Sequence, residues 1–141
     1  MKLKVFIFDD DEQFRYLLSL ILEKRGYEVL SYSEPLTCPV YLNRKCPCPE
    51  GYVCGDIFLT DINMPKMTGL DFIENQKRNG CKIDVQNIAV MSGLWTNADR
   101  LRAKTLGCQT FEKPFDSAEL FSWLDACEKR IDPNRKLFNL P

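Results

Sequence analysis

Ile57-Phe58-Leu59-Thr60-Asp61-Ile62-Asn63-Met64-Pro65 is an apolar run that arrives at a carboxylate and then breaks at a proline. Apolar residues without polar alternation suit a strand covered on both faces, as in a parallel sheet. Two flanking stretches have the same character. Val5-Phe6-Ile7-Phe8 runs into Asp9-Asp10-Asp11, and Ile88-Ala89-Val90-Met91 runs into Ser92-Gly93. Tyr27-Glu28-Val29-Leu30 and Thr110-Phe111 are weaker strand candidates, the second leading to Glu112-Lys113.

Helical patterns separate these runs. Phe14, Leu17, Leu18, Ile21 and Leu22 trace one buried stripe, closed by Gly26. Leu70, Phe72 and Ile73 open another helix, which Asn79-Gly80 ends. Asp116 with Glu119 resembles a capping box, and Leu120, Leu124, Cys127 and Ile131 carry an apolar face beyond it. Ala98 to Leu106 is only weakly amphipathic, so that helix is expected to be the least firmly docked. Strands alternating with helices indicate a doubly wound α/β domain with five parallel strands.

The chain of 141 residues fits one domain, expected over 1–131, with a tail over 132–141 in which Leu137, Phe138 and Leu140 either dock or remain disordered. A net charge of -1, from 19 basic and 20 acidic residues, argues against a general nucleic-acid binder. No apolar run approaches the roughly 18 residues that span a bilayer. The first residues read as a strand rather than a signal peptide, so membrane insertion is not expected and a cytoplasmic location is. The absence of histidine removes His-based triads and His metal ligands from consideration.

In an open α/β sheet, ligands sit beyond the carboxyl ends of the strands. Asp9, Asp10, Asp61, Ser92 and Lys113 are therefore expected to converge on one edge. Three neighbouring carboxylates repel one another, and a hard divalent cation such as Mg2+ relieves that repulsion. With Lys113 offsetting further charge, Asp61 can act as a nucleophile toward phosphorus. Lys113 and the Ser92 hydroxyl can then hold oxygens of the group that arrives.

Phe8-Asp9-Asp10 with Arg15, Leu59-Thr60-Asp61-Ile62-Asn63-Met64-Pro65 with Gly69, Met91-Ser92-Gly93, and Glu112-Lys113-Pro114-Phe115 together resemble the receiver domains of bacterial response regulators in two-component signalling. The resemblance covers roughly residues 2 to 130 and implies a flavodoxin-like (βα)5 fold with strand order 2-1-3-4-5. It further implies that Asp61 is the phosphoacceptor, and that Asp10 and Asp61 bind Mg2+ directly. Asn63 would contribute its backbone carbonyl, and Asp9 would act through water. By the same resemblance Ser92 makes the switching hydrogen bond, Lys113 pairs with the acceptor carboxylate, and the Lys113-Pro114 bond is cis. The implied function is a single-domain switch, not a metabolic enzyme, phosphorylated by a sensor histidine kinase or phosphotransfer protein and read by a separate effector protein. The family's switch aromatic is expected three residues before Lys113, where this chain has Thr110; Phe111 can replace it only if the strand register shifts. Trp95, after the Ser92 loop, is read either as a partner anchor or as simple packing.

A second departure lies at 33–55, where the family has a helix. Here Cys38, Cys46, Cys48 and Cys54 crowd among Pro39, Pro47 and Pro49, and the prolines forbid a regular helix. Four thiolates on a stiffened loop suit a structural Zn2+. An iron–sulfur centre, free thiols and a disulfide remain open alternatives, and a metal- or redox-sensing adaptor is the competing functional reading. Cys81, Cys108 and Cys127 read as small apolar residues.

Overall fold

A computed structural model describes residues 2–34 and 46–139. β1 (Lys4–Phe8), β4 (Ile57–Asp61) and β5 (Ile88–Ser92) are buried along their whole length, their apolar centres flanked by the buried polar residues Lys4, Thr60, Asp61 and Ser92. β2 (Glu28–Tyr32) and β6 (Gln109–Glu112) are only partly buried because they form the edges. The sheet has five parallel strands in the order β2-β1-β4-β5-β6. Counting only the strands of this sheet, that order is 2-1-3-4-5. A two-residue strand, β3 (Tyr52–Val53), falls outside it.

Alternate side chains of each strand feed opposite faces. Val5, Ile7, Ile57, Leu59, Ala89, Met91 and Phe111 pack on one side against α1 (Glu12–Lys24) and α4 (Ser117–Arg130). Phe6, Phe8, Phe58, Ile88 and Val90 pack on the other against α2 (Gly69–Arg78) and α3 (Asn97–Leu106). Phe8 and Phe72 meet edge to face with ring centroids 4.7 Å apart. Each such fully buried ring stabilises the fold by about 1.5–3 kcal/mol.

Helix ends follow local chemistry. Asp11, Thr68, Thr96 and Asp116 are N-caps whose side chains accept backbone N–H bonds. Asp116 accepts from the Ala118 amide, so the half of the expected capping box that Asp116 supplies is present, reaching N2 rather than N3. Gly26 and Gly80, at φ 89 and 82, make the turns that end α1 and α2. In α3 only Ala103 is buried, in keeping with its weak apolar stripe.

The tail behaves differently from a loose extension. β7 (Lys136–Leu137) pairs in parallel with β3, and the Phe138 amide donates to the Val53 carbonyl at 2.8 Å. Arg135 reaches back to the buried Asp56. The boundary drawn at residue 131 therefore cuts through contacts that join the tail to the cysteine-rich loop. Cys38 lies outside the described residues, so its place in the expected ligand set has no structural counterpart here.

Candidate functional site

Asp61 closes β4, Ser92 closes β5, and Asp9 and Asp10 follow β1. Parallel strands in this order bring all of these to one edge. Asp9, Asp10 and Asp61 each offer a carboxylate oxygen within 4.8 Å of the others. Asp9 and Asp61 are buried, while Asp10 is exposed and opens the cluster to solvent. Asn63 is exposed in the loop between β4 and α2.

Lys113 arrives from the far side of the sheet. Its Nζ lies 2.7 Å from Asp9 Oδ2 and 3.3 Å from Asp61 Oδ1. The closer partner is thus Asp9, not the acceptor carboxylate alone. Two features hold the lysine there: its own amide donates to the Ser92 carbonyl at 2.8 Å, and its Nζ sits 4.0 Å from the Phe14 ring centroid. The Lys113-Pro114 bond is cis. Asp9 is fixed in turn by the Asp11 amide on Oδ1 and by Arg15, whose guanidinium donates to the Asp9 carbonyl at 2.7 Å.

Among the described residues Lys113 is the one cation in contact with these carboxylates, which leaves negative charge uncompensated. Burial pushes the Asp61 carboxyl up to about 6; Lys113 opposes the shift, and Asp9 and Asp10 add to it. A site of this kind has hard oxygen ligands, excess negative charge and an open side, which fits a magnesium ion that keeps part of its water shell. Among the described residues it is the one group of three or more His, Cys, Asp or Glu side chains so closely gathered.

Ser92 is fully buried, and its hydroxyl is engaged with its own loop: Oγ accepts from the Leu94 amide at 3.1 Å and donates to the Leu94 carbonyl at 3.2 Å. Trp95, next along, donates its indole N–H to the Phe111 carbonyl at 3.0 Å and lies beneath the Arg100 guanidinium. Packing, the plainer of the two readings of Trp95, is what the contacts describe. Thr110 pairs with Val90 and Phe111 with Met91, and Phe111 is buried between Phe115 and Trp123. Thr110 and Phe111 therefore face opposite sides of the sheet, with Phe111 on the side of α1 and α4.

Gly69 is the tightest point behind the site. A Cβ there would press on the Asp61 carbonyl oxygen and lie 2.9 Å from Thr60 Oγ1. Gly69→Ala is expected to cost about 1–3 kcal/mol, as overpacking of a rigid neighbour does, and to weaken Mg2+ binding by displacing the end of β4. Urea unfolding with a magnesium titration measures both; unchanged values for the two would contradict this packing.

Phe14 beneath Lys113 and the indole contact of Trp95 were not visible in the sequence. Both involve ordinary core-type aromatics, and only the fold reveals what they touch.

The site and the sheet together define a doubly wound α/β domain with an acidic cluster and a lysine at the carboxyl edge of its strands. The sequence model for "Response regulator receiver domain" matches residues 5–125, and the chain belongs to that family. Receiver domains of this family bind Mg2+ at an acidic pocket and serve two-component signalling. The chain is 24% identical over 134 residues to the phosphate regulon transcriptional regulatory protein PhoB of Escherichia coli, covering 94% of this chain and 55% of that protein. It is 29% identical over 121 residues to the transcriptional regulatory protein FixJ of Azorhizobium caulinodans, covering 85% and 52%. The chain thus spans about half the length of these relatives. The solved FixJ-N structure matches with TM-score 0.73 at 21% identity, over 94% of this chain and 98% of that one. The N-terminal domain of an uncharacterized protein from Wolinella succinogenes matches with TM-score 0.74 at 27% identity, over 91% and 95%. Among the described residues no helix is long and apolar enough to cross a membrane.

Proposed function

We propose that this receiver domain is a Mg2+-dependent switch that accepts a phosphoryl group on Asp61. The observation that carries the reading is the cluster of Asp9, Asp10 and Asp61 with Lys113 Nζ reaching two of the three. Asp10 and Asp61, with the Asn63 carbonyl, are the groups to hold the ion, and Asp9 acts through water. Magnesium, when bound, offsets the carboxylate charge and polarises the incoming phosphoryl oxygens.

A phosphohistidine on a sensor kinase or phosphotransfer protein is the donor class. An Asp61 oxygen attacks phosphorus, the P–N bond breaks, and the departing imidazole takes a proton from solvent. Lys113 stays paired to Asp9 while donating to the new phosphoryl group. The chain is itself the substrate, so it turns over no metabolite, and a downstream effector protein reads the result. The family match favours this reading over a metal- or redox-sensing adaptor.

Intact-mass measurement after incubation with acetyl phosphate and Mg2+ tests it. The expected result is one labile adduct of ~80 Da, the mass of a phosphoryl group, mapped to Asp61 and lost when EDTA is present. An adduct elsewhere, or none, removes the proposal.

Ser92 must release Leu94 to reach a phosphoryl oxygen on Asp61, and Trp95 is bonded one residue beyond. Phosphorylation is therefore expected to change the Trp95 environment. Emission from wild type and Trp123→Phe should shift on adding acetyl phosphate with Mg2+, while Trp95→Phe should show little change. An equal response in Trp95→Phe would place the movement elsewhere.

A further inference from the structure

Four cysteines from two distant stretches gather at the carboxyl end of α2, away from the acidic edge. Backbone contacts set them there. The Cys46 amide donates to the Asn79 carbonyl at 2.9 Å, and the Cys81 amide donates to the Gln76 carbonyl at 2.9 Å. Both cysteines are thus anchored to the same helix end, although 35 residues separate them by number (81 minus 46). Cys48 and Cys54 are buried in the core cluster behind α2, and Cys46 packs on that cluster. The Cys48 thiol lies close enough to those of Cys46 and Cys54 for each to influence it, and Cys81 lies within electrostatic range of Cys46 and Cys54. All four are free thiols.

We propose that Cys46, Cys48, Cys54 and Cys81 bind one soft, tetrahedral divalent cation of the zinc class, which fastens the 46–54 loop to the end of α2. Cys81 thus replaces Cys38 in the set expected from sequence, and it is no longer read as an apolar filler. Sulfur ligands select zinc over magnesium, whereas the oxygen ligands of the acidic site do the reverse.

The loop has reason to need a fastening. Between Cys46 and Asp56 the regular structure is the two-residue β3, and Pro47 and Pro49 supply no backbone N–H to build more. Binding is a proton exchange with no redox change. Each thiol loses its proton to solvent as an S–metal bond forms, so up to four protons leave per ion. Burial raises the Cys48 thiol to about 11 and raises Cys54 and Cys81 as well, which keeps the metal-free thiols protonated. The sulfurs are spaced more widely than a closed shell, since no three lie within 4.8 Å of one another, so binding draws the loop and the Cys81 turn together.

Cobalt(II) titration of untagged, reduced protein tests the site. The expected result is one equivalent bound, with thiolate charge-transfer absorption and the visible bands of tetrahedral coordination, displaced by Zn2+. Cys81→Ser is expected to weaken zinc affinity by more than the roughly 100-fold that outer partners alone contribute. Cys38→Ser, Cys127→Ser and Asp61→Asn should bind as wild type does. Should Cys81→Ser fail to fold, maleimide labelling of wild type in zinc and in EDTA decides the matter by the metal-dependent protection of Cys46, Cys48, Cys54 and Cys81. Cobalt binding without thiolate absorption, loss of binding in Cys38→Ser, or labelling of Cys81 independent of zinc would each overturn the assignment. Because Asp61→Asn leaves this site intact, its failure and that of the phosphoacceptor reading are separable.

Discussion

Asp61→Asn is expected to abolish the phosphoryl adduct completely and, at the same time, to make the metal-free domain more stable. The loss follows from removing the attacking carboxylate oxygen. The gain follows from charge. In the folded protein the Asp61 carboxyl titrates at about 6, mainly because it is buried and secondarily because Asp9 and Asp10 crowd it. An unfolded aspartate titrates near 3.9. Below about pH 4 the group is neutral in both states and costs nothing. As pH rises toward 6 the unfolded chain releases the proton while the folded one retains it, so stability falls; above 6 the full penalty is present. Asparagine mimics the neutral form at every pH. Water reaches the site and Lys113 retains its 2.7 Å pair with Asp9, so the gain at pH 7.5 is discounted to about 1–2 kcal/mol. For a domain of this size that is roughly 3–8 °C in Tm. Thermal unfolding in EDTA from pH 4 to 8 checks it: the variant should lead above pH 6 and converge with wild type near pH 4. Added Mg2+ should then stabilise wild type more than the variant. A variant less stable than wild type at pH 7.5 would mean that Asp61 is held mainly by favourable pairing.

The sheet was legible because its central strands carry nothing but apolar residues up to a polar terminus. Ile57–Asp61 and Ile88–Ser92 in the structure match the runs as written, and their ends bring Asp61 and Ser92 to the same edge of the sheet. Local periodicity likewise located α1, α2 and α4. What the sequence could not show depends on which distant segments meet. Cys81 reads as one small apolar residue after Gly80, and only the fold of α2 against the 46–54 loop brings it beside Cys46. The resemblance paired Lys113 with the acceptor carboxylate alone, and only the fold shows Asp9 as the nearer partner, at 2.7 Å against 3.3 Å for Asp61. Strand alternation was legible at Thr110 and Phe111, which as neighbours on β6 face opposite sides of the sheet. The tail was left undecided between docking and disorder, for a plain reason: Leu137 and Phe138 are short of neighbours until β3 exists.

That tail leads to the largest stability effect expected. Asp56 precedes β4 and looks in sequence like an ordinary loop acid, yet it is only 4% exposed. Its Oδ2 accepts the Lys4 amide at 2.8 Å and Arg135 Nη2 at 2.6 Å, while Oδ1 accepts Arg135 Nε at 2.7 Å. Arg135 donates as well to the Lys2 carbonyl, and the carboxylate raises its pKa further above the ordinary arginine range. One carboxylate therefore joins the start of β1, the entry to β4 and the tail strand β7. Asp56→Ala leaves the guanidinium and a buried backbone amide without their partner, which is expected to cost about 3–5 kcal/mol. Against a total of roughly 5–15 kcal/mol, that removes a large share of stability. Arg135→Ala strands the carboxylate instead and should cost a similar amount. The double variant should cost distinctly less than the sum, because once one partner is gone the other no longer has a bond to lose. Urea unfolding of the four proteins completes the cycle, and a coupling of at least about 1 kcal/mol is expected. Strictly additive losses would show that the tail and the β1–β4 edge are held by separate interactions, and that the fork between Asp56 and Arg135 follows from their packing without stabilising it.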